Sequence, residues 1–359
     1  MVGAAPTGDV GVWMAEATVG KQDPHSGSDM SARRESAAVQ RVTVFIPGLT
    51  GGPQWPAPWP RSLARVLARA QKEDRLSAGF SERALDLFGL PHTAGLAALA
   101  RLGEGQAADG RWWVRCDPVY LAVDGDRLLL VDNETLGLAA DEAMRLSGLV
   151  GSVFAAEGGV IEVCAPTRWY LTLPAPEPLV VASLAEVTGH NVHDYLPTGN
   201  SRYWRTRLNE AQMLLHQALI GTHGGEGLGV CVNSVWFWGP GRIAATTARS
   251  FSQVYTDDTL LAGAARATQT ACAPVPSGPD DLDSRGHVLV VLRGAQGSVQ
   301  YGDTEGWSAF LETVATSWLQ PLTEQLARGA ISELVVSGDH GPLFRLTRRD
   351  RWRFWRGWR

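Results

Sequence analysis

The stretch RVTVFIPGL, residues 41–49, decides the fold class because it is almost continuously apolar. Strands that are buried on both faces have this pattern, and they belong mainly to parallel sheets that are covered by helices. The stretch that follows, PRSLARVLARAQKE (60–73), has its apolar residues at helical spacing. A buried strand followed by a helix predicts an α/β fold.

The α/β pattern is interrupted in the middle of the chain. Residues 116–231 contain the patterns of a hairpin, a helix, two further strands and a polar helix, which together predict an α+β unit. Strands and helices alternate again from residue 232. We therefore predict a discontinuous α/β core, formed by residues 41–115 and 232–359, with residues 116–231 as an inserted α+β domain. Residues 1–40 have no sustained period and predict a disordered leader.

The composition is that of a globular protein with a large core, since 45% of the 359 residues are hydrophobic and 19% are charged. The net charge of −5 gives no reason to expect binding to nucleic acid. The four cysteines form no CxxC pair, so neither a zinc site nor a disulfide framework is expected. No apolar run reaches the roughly 20 residues that span a bilayer, and residues 1–20 lack the pattern of a signal peptide. We expect a cytoplasmic protein.

A second informative stretch is VNSVWFWGPGR, residues 232–242. Its apolar residues predict a short buried strand, and Gly239-Pro240-Gly241 predicts that this strand stops sharply. We expect the strand in the α/β core, with Asn233, Trp236 and Trp238 at or near its carboxyl end, where open α/β sheets bind ligands. The alternative is structural: the tryptophans fill an edge of the core and Asn233 holds a turn.

A polar helix face precedes that stretch. Asn209, Gln212 and His216 recur at i, i+3 and i+7, so they share one face of a helix. His216 is either a general base or metal ligand, or a buried, hydrogen-bonded histidine. Together with Asn233 and Trp236, this face is expected to line a cleft between the insertion and the core. The candidate ligand-binding residues are Asn209, His216, Asn233 and Trp236.

These motifs resemble a known family. VNSVWFWGPGR resembles the Asn-x-x-Trp-x-Trp-Gly-x-Gly signature of archaeal-type, cofactor-independent phosphoglycerate mutases, which belong to the alkaline-phosphatase superfamily. Residues 117–143 resemble the opening of their inserted domain. LNEAQMLLH (208–216) and RFWR (353–356) are similar to a bacterial branch, the RpfE-type regulatory proteins. The resemblance covers residues 41–355 and implies an alkaline-phosphatase-like core sheet with helices on both faces.

The resemblance also implies a reaction that needs two divalent metal ions and a serine nucleophile. Here the expected positions hold other residues. Pro47-Gly48 follows the first strand where the family has an aspartate, and Pro91 and Gly95 stand where its serine and a histidine would be. Residues 290–303 do not contain the Asp-Glu-x-x-His motif.

One pair of metal ligands remains in the family's pattern, Asp339 and His340 in SGDHGP. Two side chains alone do not build a two-metal site, and a polar turn is the alternative interpretation of this pair. We therefore predict a degenerate phosphoglycerate-mutase-like protein with no catalytic residue and no cofactor, which acts as a binding or regulatory protein. The alternative is a metal-dependent phosphoryl-transfer enzyme with a relocated site that holds Mn or Zn.

The expected partner is a small molecule or a protein. The tail at 345–359 is rich in arginine and aromatic residues, a composition that suits single-stranded nucleic acid or an anionic membrane. The favoured interpretation is a final strand whose aromatic side chains dock on the core while the arginines stay in water. The sequence therefore makes no strong case for nucleic acid or membrane.

Overall fold

The computed structural model describes residues 40–51, 58–75, 79–132, 134, 136–175, 177–197, 202–222, 232–243, 249–283 and 285–350. The leader predicted over residues 1–40 lies outside the described residues except for Gln40, and so does the tail from residue 351 onward. Within the described ranges, no helix is long and apolar enough to cross a membrane.

Strands and helices alternate along most of the described chain. The strands are β1 (Gln40–Phe45), β2 (Gln71–Glu73), β3 (Trp113–Asp124), β4 (Arg127–Val131), β5 (Val160–Ala165), β6 (Arg168–Thr172), β7 (Ser234–Gly241), β8 (Gln253–Tyr255), β9 (Ala271–Ala273), β10 (His287–Val291), β11 (Ile331–Ser337) and β12 (Leu343–Thr347). The α-helices are α1 (Arg61–Leu67), α2 (Phe80–Phe88), α3 (Leu96–Gly103), α4 (Ala140–Ser152), α5 (Leu184–Val187), α6 (Arg202–Thr222), α7 (Thr259–Ala267), α8 (Gly294–Gln300), α9 (Thr304–Val314) and α10 (Gln320–Arg328).

The core is a seven-stranded sheet in the order β2-β12-β11-β1-β10-β8-β9. Its strands β11, β1, β10, β8 and β9 run parallel, and β12 and β2 extend one edge in antiparallel pairing. The carboxyl ends of the parallel strands therefore meet at one edge of the sheet. Ligand sites of open α/β sheets lie at this edge.

Helices cover both faces of the core sheet, as the apolar run of β1 predicts. Val42 and Val44 pack on one face in a cluster with buried residues of α1, α9 and α10. Phe45 packs on the other face, in a cluster with buried residues of α2 and α7. The predicted α/β core with helices on both faces is confirmed, because a strand buried on both sides leaves no place for polar alternation.

A second, antiparallel sheet has the order β4-β3-β6-β5, and β7 pairs with the same β3. The sequence predicts β7 in the α/β core, but it runs antiparallel to β3 from Ser234–Val119 to Gly241–Trp113. The second sheet thus begins before residue 116 and ends beyond residue 231. Both faces of β7 are covered, so its sequence pattern is the same as that of a core strand.

The strand β7 also continues through Gly239-Pro240-Gly241, which the sequence predicts as its stop. Helix α3 passes close to it here. A Cβ on Gly239 would lie 2.8 Å from the Leu96 Cβ, and a Cβ on Gly241 would lie 2.6 Å from the Gly95 Cα. The glycines therefore permit close packing of a helix on the strand.

Candidate functional site

A cavity of about 460 Å³ lies between the carboxyl edge of the core sheet and the second sheet. Asp258 follows β8 and Arg293 follows β10, and both line the cavity from the core side. Arg115 on β3 and Trp238 on β7 line it from the second sheet. The cavity thus lies where an open α/β sheet binds its ligand.

A buried ion pair forms part of the wall on the second sheet. The Nε and Nη2 atoms of Arg115 donate to Asp117 Oδ1 at 3.0 and 2.8 Å, and its Nη1 donates to the Tyr170 hydroxyl at 3.1 Å. Trp238 Nε1 donates to Asp117 Oδ2 at 2.7 Å. These bonds hold the guanidinium in one orientation at the cavity.

Burial and charge oppose each other in this pair. Burial lowers the pKa of the Arg115 guanidinium, but Asp117 and Tyr170 outweigh that effect and raise the pKa above its ordinary value. Burial also raises the pKa of the Asp117 carboxyl, against the stabilising effect of Arg115 and Trp238 on the carboxylate. The guanidinium therefore stays charged although its side chain is only 5% exposed.

Two further guanidinium groups line the cavity, and each has a carboxylate partner. Arg168 forms two bonds to Glu104, one of them from Nη2 to Oε2 at 3.2 Å, and this bonding raises the pKa of Arg168. Arg293 Nη1 lies 3.1 Å from Asp258 Oδ2. Asp258 Oδ1 also accepts from Leu261 N at 3.0 Å and so caps α7. The walls therefore carry both signs of charge, held by fixed partners.

Sequence reasoning missed Ser81, which also lines the cavity. It lies in the first turn of α2, after the extended residue Gly79, and is 5% exposed. Its hydroxyl has no hydrogen-bond partner among the described residues. A buried hydroxyl without a partner is unusual in a folded protein and needs an explanation. The signal available in the sequence was a serine in the first turn of a predicted helix, which is too common a feature to single it out.

The structure does not place Trp236 at the cavity. Trp236 is 2% exposed, and its Nε1 donates to Ala182 O at 3.0 Å. It lies on the same face of the second sheet as Trp238, but Val187 and Val192 cover it. This position gives the predicted ligand contact of Trp236 no support, whereas Trp238, which was expected at the same strand end, does line the cavity.

The amide of Asn233 is also used within the fold. Its Oδ1 accepts from Leu121 N at 2.7 Å, and its Nδ2 donates to Leu121 O at 3.0 Å. This matches the structural alternative, in which Asn233 braces the backbone.

Asn209 and His216 lie on the exposed face of α6, and neither lines the cavity. The buried face of α6 is apolar and includes Leu208 and Leu215. Of the predicted polar face, Gln212 contacts β7 through a 3.1 Å bond from its Nε2 to Ser234 Oγ. The structure therefore does not bring Asn209 and His216 together with Asn233 and Trp236 in a cleft.

Asp339 follows β11 and lies against the end of β1. It is 8% exposed, and its Oδ1 accepts from Gly48 N at 2.9 Å and from His340 N at 3.1 Å. The side chain of Asp339 therefore ties two loops of the core edge together, while His340 is exposed.

An arginine is the cation next to Asp339. Arg83 Nε lies 3.5 Å from Asp339 O, and its Nη1 lies 3.3 Å from Asp86 Oδ2. Among the described residues, no three or more His, Cys, Asp or Glu side chains are grouped so that they could hold a metal ion. The donor set at Asp339 and His340 does not fit the two-metal centre that the family resemblance implies.

No family model matches the chain, and no curated protein is significantly similar to it. Among solved structures, the chain is similar to the cofactor-independent phosphoglycerate mutase of Thermoplasma acidophilum DSM 1728, with 17% identity over 86% of this chain and 90% of that chain and a TM-score of 0.40. It is also similar to the PH0037 protein of Pyrococcus horikoshii, with 12% identity over 87% and 88% and a TM-score of 0.50. At this identity the second likeness shows a shared fold.

Proposed function

We propose that the protein is a non-catalytic, phosphoglycerate-mutase-like protein of the RpfE type, which binds a small polar ligand in the cavity and has a binding or regulatory role. The observation that carries this proposal is the wall of the cavity. Its guanidinium groups are held by carboxylate partners before any ligand arrives, as the buried pair of Arg115 and Asp117 illustrates. Groups that are ordered in advance lose little conformational entropy on binding.

The chemistry of the walls indicates the kind of ligand. The cavity combines guanidinium, carboxylate, hydroxyl and amide groups with the aromatic rings of Phe80 and Trp238. Such a set of groups suits a small molecule with several hydrogen-bonding groups and at least one charge.

Catalysis of the family's type has little support in this chain. Pro47-Gly48 follows β1 and Arg293 follows β10, so carboxylates are missing from both strand ends. Asp339 Oδ1 is used by Gly48 N and His340 N, and its backbone O accepts from Arg83 Nε at 3.5 Å. A two-metal mechanism needs several hard ligands converging on the same point. The alternative is a metal-dependent phosphoryl-transfer enzyme with a relocated site. It would need a cluster of converging carboxylate or histidine ligands elsewhere in the chain.

Two measurements test the proposal. Interconversion of 3- and 2-phosphoglycerate is assayed with added Mn²⁺, and turnover above about 1 per second, an ordinary enzymatic rate, would show that the protein is catalytic. A panel of small polar metabolites is then screened by thermal shift, because a specific ligand raises the melting temperature by mass action. Native metal analysis tests the alternative, which requires two metal ions per chain.

Site variants connect any binding to the cavity. Arg293→Gln removes one charge from the cavity and is expected to weaken the affinity about tenfold, as loss of a hydrogen bond to a charged group does. Arg145→Gln is the matched control, since Arg145 pairs with Glu142 on the exposed side of α4. If both variants bind as the wild type does, the ligand does not occupy the cavity.

The cytoplasmic location and the partner stay predictions. Cell fractionation and co-purification from the native cells test them.

A further inference from the structure

Two buried serines line the cavity. Ser81 belongs to α2 on the core side, and Ser183 precedes α5 on the side of the second sheet. They are 5% and 4% exposed. Ser81 Oγ has no hydrogen-bond partner among the described residues. Ser183 Oγ accepts from the backbone N–H of Glu186 in the capping box of α5, but its own O–H has no acceptor among the described residues. We call Ser81 and Ser183 the serine pair. Two buried hydroxyl protons without an acceptor on one cavity are costly for the fold, which favours a role in binding.

Glu186 shows that the two serines lie near each other. Its Oε2 accepts from Ser183 N at 3.0 Å. Its Oε1 lies against Gly79, where an added Cβ would be 2.0 Å from it. Gly79 is the residue before the first turn of α2, which contains Ser81. The Glu186 carboxylate thus connects the backbone beside one serine to the backbone beside the other.

A cation lies at the same place. The Arg293 Cζ atom is 6.0 Å from the centre of the ring of Phe80, the residue before Ser81. Arg293 uses Nη1 for Asp258, and its Nε lies 3.4 Å from Gln296 Oε1. A guanidinium has five N–H donors, so these two contacts leave donors for a ligand.

We propose that the serine pair and Arg293 bind a carboxylate group of the ligand, an inference that rests on the proposed function of the cavity. The two serine hydroxyls donate one hydrogen bond each, and the planar guanidinium matches the two oxygens of a carboxylate. The N-terminal end of α2 adds a favourable field, since its side chains provide no cap.

The charge of Glu186 selects between oxyanions. The Glu186 carboxylate contacts the backbone of Ser183 and lies against Gly79. It therefore repels a ligand group with two negative charges more strongly than a group with one. A carboxylate carries one negative charge, whereas a phosphate monoester carries nearly two at neutral pH. The site therefore takes a carboxylate in preference to a phosphate.

The test uses the full chain and two simple probes, succinate and inorganic phosphate, each compared with sodium chloride at equal ionic strength. Binding is measured by thermal shift and by titration calorimetry. The expected result is a concentration-dependent rise in melting temperature with succinate, and a dissociation constant for phosphate at least several-fold weaker.

Ser81→Ala is the decisive variant. Because its hydroxyl has no partner in the fold, the variant is expected to keep the melting temperature of the wild type while it binds succinate about tenfold more weakly. Ser147→Ala is the matched control: Ser147 is also 5% exposed, but its hydroxyl donates to Met144 O within α4. This control is expected to bind succinate as the wild type does.

Three outcomes would overturn the inference. They are tighter binding of phosphate than of succinate, unchanged binding of succinate by Ser81→Ala, and no response of the wild type to succinate. If the metabolite panel still gives a ligand that is sensitive to Arg293→Gln, the cavity binds that ligand without the serine pair and the proposed function stands. If no member of the panel binds, the proposed function itself fails.

Discussion

Asn233 is bonded to both backbone groups of Leu121, accepting from its N at 2.7 Å and donating to its O at 3.0 Å. The bonds lie just before β7, where Asn233 N also donates to Val119 O at 3.3 Å. The amide thus extends the pairing of β7 with β3 by one further residue. The Asn of the VNSVWFWGPGR stretch therefore has a structural role in the second sheet.

Asn233→Ala is expected to lower the free energy of unfolding by about 1–3 kcal/mol, because it leaves two half-buried backbone groups without partners. Urea unfolding followed by circular dichroism measures the change. Asn209→Ala on the exposed face of α6 is the control and should stay within about 0.5 kcal/mol of the wild type. Equal losses in both variants would contradict the role of Asn233.

Trp236→Ala is expected to lower the free energy of unfolding by about 3–5 kcal/mol, as large truncations in a core do. The reason is that the Trp236 side chain is only 2% exposed. Any ligand of the cavity should keep its affinity for the folded variant. Trp236→Phe fills most of the space and should cost less. A Trp236→Ala protein of normal stability with weakened binding would show that the sequence-based hypothesis was right after all.

The pair of Arg115 and Asp117 gives a test by double-mutant cycle. Asp117→Leu alone is expected to destabilise the protein by about 3–5 kcal/mol, because it leaves a buried guanidinium without its carboxylate. Arg115→Met together with Asp117→Leu removes both charges and should cost less than the sum of the single changes. Additive costs would mean that the two side chains do not stabilise each other.

Stability should depend on pH through His287 at the start of β10. Its ring lies 4.6 Å from the ring of Phe251, and its Nε2 lies 2.9 Å from Thr43 Oγ1. Burial, and then the charge of Arg41, lowers the pKa of His287 below its ordinary value. The unfolded chain therefore takes up this proton first as the pH falls.

The contribution of His287 to the free energy of unfolding is complete above the ordinary histidine pKa of about 6.5. It is lost progressively as the pH falls below that value. We expect the urea midpoint of the wild type to fall between pH 7.5 and pH 5.5. In His287→Gln the urea midpoint should fall less over the same pH range. The difference between the wild type and the variant then measures the effect of His287 apart from that of the other histidines. An identical fall in both would assign the pH dependence to other groups.

Added Mn²⁺ or Zn²⁺ is expected to leave the melting temperature unchanged, and so is EDTA. The reason is that Asp339 Oδ1 already accepts from Gly48 N and His340 N, and that Arg83 Nε donates to the backbone O of the same residue. Thermal shift with each ion, against Mg²⁺ and buffer, checks this. A stabilisation that saturates at two ions per chain would instead support the metal-dependent alternative.

The sequence by itself determined the α/β class, because burial on both faces leaves a near-continuous apolar run in β1, and the helix that follows has its own period. Its change of pattern at residues 116–231 also predicts an inserted α+β unit. These are local properties, and each can be recognised within a window of ten to twenty residues. Which side of α6 faces inward could not be decided from such a window. The helical period places Asn209 and His216 on one face, but it is the apolar face of the same helix that packs against the second sheet.

Only the tertiary structure decided which sheet receives β7 and which residues meet at the cavity. A strand that is covered on both faces has the same sequence pattern in either sheet. The pairing of β7 with β3 therefore could not be predicted from residues 232–242. Ser81, Ser183 and Arg293 follow one another at intervals of about a hundred residues along the chain. None of them stands in a sequence motif that singles it out. They meet at one cavity only because the fold brings α2, the segment before α5 and the end of β10 together there.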